Sequence, residues 1–82
     1  GKPAPKDAHK MKNLYDLTPA QFEQEVRSAV KGATTPAQAE ERLKKHFSPQ
    51  PHFWVQERGE HHLGVLAQQR VGVDNVDIIC EL

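Results

Sequence analysis

Four of the five histidines, His46, His52, His61 and His62, fall within one short stretch, and the single cysteine, Cys80, comes later. Histidine and cysteine are the common ligands of zinc, so a metal site is the first chemistry to weigh. The spacing argues against it. No pair of histidines stands at the i,i+4 separation that puts two ligands on one helical face. His61 and His62 are adjacent, so on a strand they point to opposite faces and cannot easily share one tetrahedral ion. They read as surface histidines near a turn. Neither a metal nor another cofactor is expected.

A second chemistry is phosphodiester cleavage. Glu57 or His62 could act as general acid or base, and Arg58 and Arg70 could stabilise phosphate charge. Serine-based catalysis has no support, because Ser28 and Ser48 fall in a helix and a linker. Cys80 sits at a position that faces the expected core, so it reads as a packed residue rather than a nucleophile. Gly64 and Gly72 fall in a strand pattern, where glycine marks twist or the close approach of another group. No catalytic residue is assigned.

Whatever these residues do, helices and strands must position them. The stretch from Leu17 to Phe47 carries one start signal twice: Thr18-Pro19-Ala20-Gln21 and, seventeen residues on, Thr35-Pro36-Ala37-Gln38. Threonine caps the free backbone N–H groups, and proline suits the first helical position. Glutamine at the third position can bond back to the cap. Leu17 and Phe22 fit a hydrophobic staple. Phe22, Val26, Ala29 and Val30 then recur on one helical face, and Gly32 stops the helix. Ala39, Leu43 and Phe47 form a narrower stripe in the second helix, ended by Ser48-Pro49-Gln50-Pro51. The two helices form a hairpin. Leu14-Tyr15 precedes it and is expected to pack on it.

From His52 the pattern changes to β-branched and aromatic residues with alternation. Three strands are predicted: His52 to Arg58, about His62 to Val73, and Val76 to Glu81. Leu63, Val65, Ala67, Val71 and Val73 all hold odd positions, hence one face. A three-residue loop at Gly59-Glu60-His61 puts Val55 opposite Val65. A shorter turn would flip the first strand to the wrong face. A tight Asp74-Asn75 turn puts Val73 opposite Val76, Val71 opposite Ile78 and Arg70 opposite Ile79. The predicted fold is a two-layer α+β domain in the order α-α-β-β-β, with the helical hairpin packed on a three-stranded antiparallel meander.

The sheet face away from the helices would then carry Trp54, Gln56, Arg58, His62, Leu66, Arg70, Asp77 and Ile79. It is unusually apolar for a wet face. Tryptophan and arginine are the residues enriched at binding hot spots. Trp54, Arg58, His62, Leu66, Arg70 and Ile79 are therefore the candidate partner-binding residues. The third strand, with high β-propensity and an unpaired edge, is a further place for a partner strand or a second copy. The alternative partner is nucleic acid, with bases stacking on Trp54 and phosphates on Arg58 and Arg70. Two helices before a three-strand meander loosely resembles the messenger-RNA-cleaving bacterial toxins of the RelE and ParE superfamily. That resemblance lies in element order alone, without the usual first strand, and implies an RNA-cleaving domain.

Composition bounds both readings. Eighty-two residues make a single domain with a modest core. Eleven basic and eleven acidic residues cancel, so the whole chain has no general attraction to nucleic acid or anionic membrane. Residues 1–13 hold Lys2, Lys6, Lys10 and Lys12 against Asp7 alone and read as a disordered basic linker, with the single domain at 14–82. No apolar run is long enough to span a membrane. One cysteine allows no internal disulfide, which fits a cytoplasmic protein. The expectation is a non-enzymatic protein-interaction module, the terminal domain of a larger protein or a small regulator.

Overall fold

The computed structural model describes residues 12–81. A short strand, β1 (Lys12–Asn13), leads into a 3-10 turn over Leu14–Asp16. Two helices follow, α1 (Pro19–Val30) and α2 (Pro36–His46). β2 (Phe47–Ser48) pairs in parallel with β1. A three-stranded antiparallel sheet completes the chain: β3 (His52–Glu57), β4 (His62–Gln68) and β5 (Val76–Glu81), with β4 in the centre. This is the α+β architecture that the sequence pattern predicts. Of the segment read as a basic linker, residues 1–11 lie outside the described residues.

Both helix starts form, in different ways. The Thr18 Oγ1 accepts the Gln21 N–H at 3.1 Å, and the Gln21 Oε1 accepts the Thr18 N–H at 3.0 Å, a closed capping box. At α2 the Thr35 Oγ1 accepts the Gln38 N–H at 3.2 Å. There the Gln38 Oε1 turns instead to the Thr34 N–H and hydroxyl, each at 2.9 Å. The two helices are also tied by His46 Nε2 and Glu25 Oε1, 2.7 Å apart, with the His46 ring edge-on to Phe47.

The helices cover one face of the sheet, α1 against β5 and α2 against β3. Phe22, Val26, Leu43 and Phe47 meet Val55, Leu63, Val65 and Ile78 there, all buried. Burying each such side chain contributes about 1.5–3 kcal/mol relative to leaving it exposed. Leu14 joins this core, but Tyr15 stays 57% exposed and does not pack on α1 as predicted.

The first hairpin has the predicted register. Val55 lies opposite Val65 and Phe53 opposite Ala67, with Arg58 N–H donating to the His62 carbonyl at 3.0 Å across the loop.

The second hairpin does not. β4 stops at Gln68 rather than running to Val73, and no tight turn forms at Asp74-Asn75; residues 69–75 make an irregular connection. Val65, not Val71, faces Ile78, and Gly64, not Arg70, faces Ile79. Two causes are visible. The buried Gln69 side chain donates its amide to the carbonyls of Leu14 (2.8 Å) and Leu17 (2.7 Å), which pins the chain to the 3-10 turn instead of the sheet. Gly72 then takes φ +95°, outside the range of a strand. Val71 and Val73 are consequently exposed rather than core. The register offset is an even number of residues, so the residues that remain in the strands keep their predicted faces.

Candidate interaction face

The face away from the helices is built in rows by the β-ladders. Trp54, Leu66 and Asp77 form one row across β3, β4 and β5; Gln56, Gly64 and Ile79 form the next; β4 and β5 then add His62 opposite Glu81. Among the described residues nothing lies over it. Trp54 is 69% exposed and Ile79 41% exposed, while Leu66 is half-buried between them. At the Trp54 end a cleft of about 340 Å³ is lined by His52, Phe53, Trp54, Leu66 and Asn75.

One long side chain organises the middle of the face. Arg58 leaves the end of β3, crosses the central strand and reaches β5, where its Nη2 lies 3.4 Å from Asp77 Oδ2. It passes over Gly64. A β-carbon at that position would lie 2.6 Å from Arg58 Cγ and 2.8 Å from Nε, so only glycine leaves room for the crossing. The arginine stem thus lies flat on the sheet while its charge is met by a carboxylate.

Trp54, Arg58, His62, Leu66 and Ile79 are all brought together as the strand pattern predicts. Arg70 is not. It lies in the 69–75 connection, exposed and outside the sheet, because β4 has already ended. Asp77 is the site residue that sequence reasoning passes over. The sign of it was Gly64, a glycine in mid-strand that marks an approaching group.

The charge on the face is slightly negative: Arg58 stands against Asp77 and Glu81. Cys80 points the other way, into the core, and burial pushes its thiol above the ordinary value while the charge of Arg27 pulls it down less strongly. Among the described residues no three histidine, cysteine or acidic side chains stand close enough to share a metal ion. None of the described helices is long and apolar enough to cross a membrane.

What fold and face define is a small two-layer α+β domain with one sheet face open and one covered. Comparison with family models, with curated proteins and with solved structures found no match.

Proposed function

We propose that this domain is a protein-interaction module that binds through the open face of its sheet. The observation that carries the reading is Trp54: a large aromatic side chain, 69% exposed in the middle of a regular strand, beside Leu66 and within the same face as Ile79. A tryptophan and an arginine held flat on the same face have the composition of a hot spot, with a polar rim supplied by Gln56, Gln68 and Glu81. The ion pair matters to the choice of partner. Arg58 is already matched by Asp77 and the face carries an excess of acid, which disfavours phosphate. The nucleic-acid alternative relied on Arg58, His62 and Arg70 acting together, and Arg70 lies off the sheet.

A photo-crosslinking residue placed at Gln56, within the face, tests this when compared with one at Lys44 on the wet side of α2. The expected result is a defined protein adduct from position 56, lost when Trp54 is also replaced by alanine and absent from position 44. Adducts to RNA, or equal adducts from both positions, would overturn the reading.

A further inference from the structure

The sheet has two outer edges, those of β3 and β5, and β5 carries the more strand-favouring sequence. Its residues, Val76-Asp77-Ile78-Ile79-Cys80-Glu81, favour strand structure, and no described strand pairs with that side. The edge is nevertheless not open. Arg27, reaching down from α1, donates from Nη1 to the Ile79 carbonyl at 2.7 Å. Its Nη2 is held at 3.1 Å by Glu23, one helical turn back. The guanidinium therefore sits on the edge with its own side held in place.

We infer that Arg27 guards the β5 edge against strand addition by a second copy of this chain. The Ile79 carbonyl points away from β4, so in the alternating antiparallel pattern Asp77 and Glu81 also direct their backbone N–H and C=O outward. Two copies related by a two-fold axis would pair these outward residues. The register of fullest overlap puts Ile79 opposite Ile79 of the second copy, and Asp77 opposite Glu81 of the second copy. Arg27 blocks that pairing directly, by occupying the central acceptor. The facing carboxylates oppose it as well, since like charges directly across a ladder are destabilising. Guarding an edge with a charged side chain is a general way to prevent sheets from joining.

The test is solution mass over a concentration series in about 1 M NaCl, where screening falls to about 3 Å and the facing carboxylates cease to matter. All variants carry Trp54→Ala, so that association through the sheet face does not contribute. The Trp54→Ala domain is expected at the mass of one chain. Adding Arg27→Ala should shift it to the mass of two chains, with self-association tightened at least tenfold. Arg27→Met, which keeps the helix propensity of arginine but donates nothing, should do the same if the alanine variant folds poorly. Adding Ile79→Pro should restore one chain, because it removes an outward N–H without touching the ladder to β4. A single-chain mass for both Arg27 variants at every concentration overturns the inference. So does a two-chain species that survives Ile79→Pro, or one already present with Arg27 intact.

Discussion

Arg58 and Asp77 meet across the full width of the sheet, 3.4 Å apart, although the central strand β4 lies between the two strands that carry them. The contact exists because Gly64 presents no side chain where the arginine crosses. An exposed ion pair of this kind contributes about 0–1 kcal/mol to stability, so its weight lies in the shape it gives the face rather than in the fold.

The crossing makes Gly64 and Arg58 energetically dependent on each other. Gly64→Ala alone should be destabilising by about 1 kcal/mol, because the new β-carbon meets the arginine stem near its root and pushes it off the sheet. In an Arg58→Ala background the same change should be neutral or mildly stabilising, since alanine in a strand avoids the backbone entropy of glycine. Urea unfolding of the four proteins measures this as a coupling of about 1 kcal/mol. Additive effects would mean that Arg58 does not lie over Gly64.

Trp54 should matter to binding and little to folding. With 69% of its surface already in water, Trp54→Ala is expected to change unfolding stability by no more than about 0.5 kcal/mol. Partner affinity should fall by about 2 kcal/mol or more, roughly 30-fold. Thermal unfolding and a binding titration separate the two. A loss of stability as large as the loss of binding would make Trp54 a core residue.

Gln69 is predicted to be the most sensitive polar residue of the core. Its amide donates to two backbone carbonyls, those of Leu14 and Leu17. Gln69→Leu is more apolar and of similar size, yet it should destabilise the domain by about 2 kcal/mol, because it removes two hydrogen bonds that hold the 69–75 connection to the Leu14–Leu17 segment. The urea midpoint reports it, and a neutral result would mean that water replaces the amide.

Gln69 also marks where the sequence stopped being legible. The odd-position apolar set, the three-residue loop after Arg58 and the duplicated helix starts are local patterns, and local patterns fixed both faces of the sheet and most of the core. The same parity ran on through Val71 and Val73 and concealed the end of β4, since nothing nearby reveals that Gln69 binds carbonyls more than fifty residues earlier. The face survived this error because the register slipped by an even number. Arg70 did not, because its place depended on where the strand stopped. The Arg58–Asp77 pair and the Arg27 cap on Ile79 join separate elements, and no spacing in the chain encodes either.

The buried thiol of Cys80 gives the domain a pH dependence of definite sign. Burial raises its pKa above the ordinary value, more than the nearby Arg27 lowers it. In the unfolded chain the thiol ionises at about 8.5, while in the folded chain it keeps its proton at that pH. The folded state therefore binds more protons than the unfolded state in this window, so stability falls as pH rises. The contribution of Cys80 should be complete below about pH 8 and decline from about pH 8.5 upward, until the folded thiol also ionises. Cys80→Ala should flatten that part of the profile relative to the parent. The same burial predicts that a thiol reagent at pH 8 labels the native domain slowly and the urea-unfolded chain rapidly, since only the thiolate reacts. Equal labelling of the two states would place the Cys80 side chain outside the core, and with it the inward face of β5.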